Sequence, residues 1–220
     1  MLVSGSYDKT ARVFSVTTGK QVACVEEHKA FVLSALFSRD GSKIITASVL
    51  GDVRVTDIAS GQQTTQIQAH SGPVTSLALN SDGTLLASAG GDKAANVWDT
   101  TTEPWTRLAS LRHADSVQAV AFSPDDLMLA TSGTDSLVKV FEVSRRRKEW
   151  AELARINGHS DEVNSVAFAA PAAARLQVLL ATGADDRSAC VWDMTPVLVA
   201  LKVSQAKEKK ERPTSVSPLP

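Results

Sequence analysis

Four histidines, His28, His70, His113 and His159, are the residues of this 220-residue chain best suited to chemistry. Imidazole can move protons near neutral pH or ligate a metal, and beside a hydroxyl and a carboxylate it can activate a nucleophile. Their spacing argues against all of these uses. They lie 42, 43 and 46 residues apart, and each is followed four positions on by a valine: Val32, Val74, Val117 and Val163. Some 28 to 34 residues beyond each stands a pair that ends in an acid: Thr56-Asp57, Trp98-Asp99, Phe141-Glu142 and Trp192-Asp193. Self-similarity at a period in the low forties marks a repeat architecture, in which one unit buries its apolar face only against the next. Histidines locked to such a frame read as one structural part used four times.

The elements that carry them read as strands. Between His70 and His113, Val74 to Leu79 alternates and is followed by Asn80-Ser81-Asp82-Gly83, a hairpin turn. Leu85 to Ala89 is a second strand, Gly90-Gly91-Asp92-Lys93 a second turn, Ala95 to Asp99 a third strand, and Thr106 to Leu111 a fourth. No helical period intervenes, so the repeat is all-β.

The histidine before the first strand, the aspartate in the second turn and the closing Trp-Asp resemble the WD40 repeat, whose units are blades of a β-propeller. The resemblance runs from Leu2 to about Met194 through five successive units. It implies an incomplete propeller with four antiparallel strands per blade: a partial blade over 1–27, then blades over 28–69, 70–112, 113–158 and 159–203. It also implies a hydrogen-bond network inside each blade. Eleven positions before the closing acid stand Ser4, Thr46, Ser88, Thr131 and Thr182, every one a hydroxyl. Seven positions before it stand Asp8, Asp92, Asp135 and Asp186, with Leu50 in the second unit. The aromatic position holds Phe14, Trp98, Phe141 and Trp192, with Thr56 in the second unit. A buried imidazole needs both nitrogens satisfied, which explains the hydroxyl and the carboxylate, and the donor-only indole can use the same hydroxyl. Two blades hold the full set, His70, Ser88, Asp92, Trp98 and His159, Thr182, Asp186, Trp192. The set of His113, Thr131 and Asp135 lacks the indole. The His28 and Thr46 blade has neither carboxylate nor aromatic and is expected to be the loosest.

The strand count falls short of closure, which is what removes exposed sheet edges. Eighteen strands are expected up to Trp192, and 197–203 is the candidate nineteenth, where five full blades need twenty. A seven-bladed ring would take roughly 280–315 residues at about 40–45 per repeat. The reading is a fragment or short form of a larger propeller, or an open arc completed by a partner strand or by self-association. The tail over 204–220, charged and then rich in Ser-Pro steps, is expected to be disordered. Arg145-Arg146-Arg147-Lys148 reads as a solvated loop, and Pro171-Ala172-Ala173-Ala174 as an insertion in a hairpin.

The remaining observations bound function. A net charge of −1 gives no global reason to expect nucleic acid. The start of the chain does not read as a signal peptide, and no apolar run approaches the roughly 20 residues of a membrane span. Cys24 and Cys190 read as reduced thiols, which points to an intracellular protein, cytoplasmic in preference to nucleus or cytoskeleton. No cofactor, metal or catalytic residue is expected. Ser6-Tyr7-Asp8-Lys9 fits a Ser-x-x-Lys pattern but falls in a blade turn. The expected function is a non-enzymatic scaffold for protein or peptide partners. In a propeller, one face collects the residues that follow each histidine and those before each turn aspartate: Tyr7, Phe31, Leu33, Val49, Pro73, Thr75, Gln118, Glu162, Asn164 and Asp185, with Gly91, Ser116 and Thr134. Tyr7, Phe31, Leu33 and Val49 would form an apolar patch on neighbouring blades. A ubiquitin-ligase substrate receptor is disfavoured, because Thr17, Ala59, Thr101, Ser144 and Thr195 stand where such members often carry arginine. An RNA-associated scaffold would have to use the basic run at 145–148.

Overall fold

The computed structural model describes residues 1–26, 28–144, 150–169 and 177–210, the last six for backbone only. The basic run at 145–148, the insertion at 171–174 and the end of the tail at 211–220 lie outside the described residues.

Eighteen strands form five antiparallel sheets. The first sheet holds β1 (Leu2–Gly5), β2 (Ala11–Phe14) and β3 (Gln21–Val25). The second holds β4 (Val32–Phe37), β5 (Lys43–Ser48), β6 (Asp52–Asp57) and β7 (Gln63–Gln68). The third holds β8 (Val74–Leu79), β9 (Leu85–Gly90), β10 (Ala94–Asp99) and β11 (Thr106–Arg112). The fourth holds β12 (Val117–Phe122), β13 (Met128–Gly133), β14 (Leu137–Glu142) and β15 (Glu152–Asn157). The fifth holds β16 (Val163–Phe168), β17 (Leu179–Ala184) and β18 (Ala189–Asp193). Within each sheet the strands pair in the order of the sequence.

The turns between the second and third strands share one device. The residue at the αL corner is Lys9, Gly51, Lys93, Ser136 and Arg187 in the five sheets, all with positive φ. In four of them a side chain other than glycine holds a conformation that disfavours a Cβ. The aspartate before it in those four turns accepts backbone N–H groups across the corner, as in Thr10 N to Asp8 and Ser188 N to Asp186.

The first strands of sheets two to five, β4, β8, β12 and β16, pack side by side, with β1 against β4. No comparable packing joins β16 back to β1 among the described residues. Between sheets, a row of small residues meets a row of large ones. Ala87, Val97 and Ala109 of the third sheet face Leu129, Phe141 and the neighbouring Trp150 of the fourth. Ile45 and Val55 of the second sheet meet Leu86 and Trp98 of the third. Burying each Leu or Phe in this way contributes about 1.5–3 kcal/mol.

One element differs from expectation. The segment 197–203 is not a nineteenth strand, because α1 (Thr195–Lys210) is a helix. Its β-branched Val197, Val199 and Val203 suggested a strand. The burial has helical spacing instead: Met194, Leu198 and Leu201 are all buried in the core shared by the fourth and fifth sheets. Pro196 stands in the first turn, where its missing N–H is harmless. The run of Ala, Lys and Glu after Ser204 then favours continuation, so 204–210, expected to be disordered, belongs to the helix.

Candidate functional site

The four histidines are buried, one at the mouth of each of sheets two to five. In the third sheet, His70 Nδ1 donates to Asp92 at 2.8 Å, and the Ser88 hydroxyl meets Nε2 at 2.8 Å. The Trp98 indole donates to that same hydroxyl at 3.0 Å. Since the Asp92 carboxylate can only accept, the proton of the neutral ring sits on Nδ1, which leaves Nε2 to accept the Ser88 hydroxyl hydrogen. Asn96 Nδ2 lies 3.3 Å from His70 Nδ1. Both atoms are donors in this tautomer, so its real partner is the Ala69 carbonyl at 2.8 Å.

The fifth sheet repeats the arrangement. His159 Nδ1 is 2.9 Å from Asp186, its Nε2 is 2.7 Å from Thr182, and the Trp192 indole donates to Thr182 at 3.0 Å. In the fourth sheet His113 joins Asp135 at 3.0 Å and Thr131 at 2.7 Å. Each of these carboxylates also accepts the backbone N–H after its histidine, from Ser71, Ala114 and Ser160.

The second sheet corrects the sequence reading. His28 Nε2 meets Thr46 at 2.7 Å, and a carboxylate is present after all. It comes from Asp52, two residues beyond the expected position at Leu50, and stands 3.6 Å from His28 Nδ1. Asp52 is engaged by Ser48 and by Arg54 Nε at 2.7 Å, so it approaches the ring without bonding to it. Among the described residues, buried His28 Nδ1 has no hydrogen-bond partner.

A hydroxyl, an imidazole and a carboxylate at these distances form the same chain as a serine-hydrolase triad. Here it is sealed. Ser88 and Thr131 are fully buried, and a Cβ added at Gly90 would lie 2.2 Å from His70 Nδ1. No substrate carbonyl can reach the oxygen. Burial pushes His28, His70 and His113 below the ordinary histidine pKa, despite the opposing carboxylates. Burial alone would raise Asp92 and Asp135, but the histidine bonds and backbone N–H groups hold both below the usual carboxylate range. His70 with Asp92 and His113 with Asp135 are thus each a neutral ring bonded to a carboxylate. Among the described residues no group of three or more His, Cys, Asp or Glu is placed to hold a metal ion.

The expected partner face is gathered by a repeating backbone bond. Val49, Gly91, Thr134 and Asp185 donate N–H to the carbonyls of Phe31, Pro73, Ser116 and Glu162, each at 2.8–3.0 Å. Tyr7 and Phe31 come together, with ring centroids 4.8 Å apart, and are 71% and 44% exposed. Beside them Gly5, Ser6, Tyr7, Val32 and Leu33 line an open depression. Thr75 serves the fold, donating its hydroxyl to the Val117 carbonyl of the next sheet at 2.7 Å. Pro73 packs on Gly91, and Gln118 is half-buried. Asn164 bonds to Asp185 beside Glu162, a polar corner on the fifth sheet.

A family profile described as "WD domain, G-beta repeat" matches residues 19–57, 61–99, 105–142 and 150–193. The chain belongs to the WD40-repeat family. The buried histidine networks are therefore WD40 blade interiors, and the five sheets are blades of an incomplete propeller. The chain is also 32% identical over 115 residues to "Probable cytosolic iron-sulfur protein assembly protein CIAO1 homolog" of Caenorhabditis elegans. That match covers 49% of this WD40 chain and 32% of the relative, so about a third of the relative's own length. No described helix is long and apolar enough to cross a membrane.

Proposed function

We propose that this WD40 protein is a non-catalytic adaptor in a multiprotein assembly, and that it seats a partner segment on the Tyr7, Phe31 and Leu33 face. The observation that carries this reading is the exposed, mutually packed pair of Tyr7 and Phe31 beside an open depression. Two large aromatics left in water on adjoining blades form the kind of apolar anchor point that interfaces bury. Val49 on the neighbouring turn extends the patch, and the Glu162, Asn164 and Asp185 corner supplies a polar limit to the same face. The name of the relative, a probable cytosolic iron-sulfur protein assembly protein, supports an assembly role and a cytosolic site of action. The sealed histidines support the non-catalytic part of the reading.

The test is quantitative affinity purification with Tyr7→Ala/Phe31→Glu against the parent chain. Val199→Glu, on the exposed side of α1, serves as a control of equal surface change. At least tenfold lower recovery of a defined partner set with the double variant, and unchanged recovery with the control, is expected. An unchanged partner set with the double variant sinks the face assignment.

A further inference from the structure

We propose that the seam between the second and third sheets, at the strand ends opposite to Tyr7 and Phe31, binds a small free carboxylic acid with an apolar body. A cavity of about 150 Å³ opens there. Its inner wall is apolar, from Ile45 and Val55 of the second sheet and Leu79 and Trp105 of the third. Its lip is polar, from Arg39, Lys43 and Thr65 on one side and Thr100 and Glu103 on the other. Both sheets have all four strands, and the whole lining lies in them and in their turns.

The two following seams show which residues make this space. Lys43, Leu85 and Met128 are equivalent, each standing opposite the closing acid of its sheet, Asp57, Asp99 and Glu142. Leu85 and Met128 are 1% and 0% exposed and plug the seams toward the fourth and fifth sheets. Opposite the central valine of the third strand stand Thr65, Ala109 and Ala154. From across each seam comes the residue after the next closing acid: Thr100, Val143 and Met194. Val143 and Met194 join the apolar cores of their seams, whereas Thr100 turns its hydroxyl to the Gly83 carbonyl at 2.7 Å. One seam thus has a cation and two hydroxyls at the three places where the other two seams carry only apolar side chains.

Charge decides what the cavity takes. Lys43 is half-buried, and among the described residues neither it nor Arg39 has an ion pair or a side-chain hydrogen bond. The nearby acids are occupied. Asp57 accepts the Ser60 N–H and hydroxyl at 2.8 and 2.7 Å, and Asp40 accepts the hydroxyls of Ser38 and Ser42. Glu103, the acid on the lip, accepts the Thr65 hydroxyl at 3.0 Å. A Cβ added at Gly83 would meet the Arg39 Cβ at 2.9 Å, which places Arg39 across the mouth of the seam. Two cations over an apolar wall select an anion with an apolar body, and partial removal from water strengthens that attraction. Size sets the body, since a cavity of about 150 Å³ takes a group of about the size of benzene. The side chains of Asp and Glu have too few methylenes to cover four apolar walls, and a phosphate has none. The guest that fits is a branched or aromatic monocarboxylate.

The test titrates benzoate into the intact chain at pH 7.5 and follows backbone amide shifts by NMR. Saturable shifts are expected at Lys43, Thr65 and Gly83, and none at Tyr7 or Phe31. Benzyl alcohol, with the ring and no charge, and acetate, with the charge and no ring, should each bind at least tenfold more weakly. Lys43→Leu installs the side chain that Leu85 provides in the next seam, so the fold accommodates it, and should weaken benzoate binding at least tenfold. Lys43→Gln, which keeps a polar side chain, should weaken it similarly, whereas Lys20→Gln, on an exposed turn of the first sheet, should not. The proposal is overturned if benzoate gives no saturable shifts at these amides, or if benzyl alcohol or acetate matches it. It is also overturned if the Lys43 variants bind benzoate as tightly as the parent chain.

Discussion

The blades of His70 and His28 have the same strand count and nearly the same backbone, yet one completes its interior network and the other does not. In the first, each polar atom of the ring is matched: Trp98 to Ser88, Ser88 to His70, His70 to Asp92. In the second, Thr56 stands where the indole would be, and Asp52 divides itself between Ser48 and Arg54. The lesson is that the fold does not need every network complete. A blade with an apolar third strand, Val53 and Val55 buried against the next sheet, is held by packing while His28 keeps an unmatched nitrogen.

The largest way to break this comparison is to remove each ring. His70→Ala and His28→Ala leave cavities of similar size, so that part of the loss is shared. His70→Ala also strands the Ser88 hydroxyl and an Asp92 oxygen, at about 1–3 kcal/mol for each buried group left unpaired. His28→Ala strands only Thr46 and removes an atom that was already unmatched. His70→Ala should therefore be the more destabilising by about 2 kcal/mol, or about 4–8 °C in melting midpoint for a chain of this size. Equal shifts in a thermal melt would break the comparison.

Much of this was legible before any coordinates. The Trp-Asp pairs supply an absolute register, so counting back eleven and seven positions finds Ser88, Asp92, Thr131, Asp135, Thr182 and Asp186 without knowledge of the fold. Counting fails at Asp52 because reach, not position, decides: its side chain comes back toward His28 from beyond the corner at Gly51. The Asn96 bond to Ala69 was invisible for a related reason, since it joins segments 27 residues apart through a position that holds Arg12, Arg54, Lys139 and Cys190 in the other blades. The helix was missed because valine at three positions outweighed the weaker signal of Met194, Leu198 and Leu201.

The second prediction uses pH. His28, His70 and His113 have lowered pKa values in the folded chain, while in the unfolded chain they titrate near about 6.5. The unfolded state therefore takes up protons that the folded state refuses. Stability is fully present above pH of about 6.5 and is lost as pH falls below it toward the folded values, by up to about 1.4 kcal/mol per pH unit for each ring. Melting midpoints from pH 7.5 down to 5.5 should fall, and His28→Gln and His70→Gln should each remove part of that slope. A slope unchanged in His28→Gln would show that its ring is not held neutral, and the contrast with His70 would lie in charge and not in hydrogen bonding.

The third sharpens the comparison by repairing the weaker blade. Leu50 is 54% exposed and occupies the turn position that Asp92 fills in the third sheet. Leu50→Asp with Asp52→Ala moves the carboxylate to the position from which it can meet His28 Nδ1 and avoids two acids side by side. The exchange removes the Asp52 bonds to Ser48 and Arg54, so the net gain should be small, about 1 kcal/mol at pH 7.5. Its sharper signature is the ring itself: with a carboxylate accepting directly from Nδ1, the His28 pKa should rise, measured by NMR titration. A stabilised variant with no movement of the His28 titration would show that the turn, and not the imidazole, limits this blade.

The smallest effect concerns the corner itself. The second sheet uses Gly51 at φ of 87°, and the third uses Lys93 at 69°. Gly51 is obligatory, because an added Cβ would lie 2.2 Å from the His70 carbonyl oxygen. Lys93 has room for its side chain but pays the αL penalty of a Cβ, about 1–2 kcal/mol, offset in part by the larger entropy that glycine would bring to the unfolded chain. Its ammonium, on the surface, reaches the Ala114 carbonyl at 3.1 Å and Asp115 at 3.5 Å, contacts worth little in water. Lys93→Gly should thus stabilise the chain slightly, by about 0.5 kcal/mol, read as a small rise in melting midpoint. A clear destabilisation would mean that the lysine contacts to Ala114 and Asp115 hold the third and fourth blades together more firmly than surface ion pairs do.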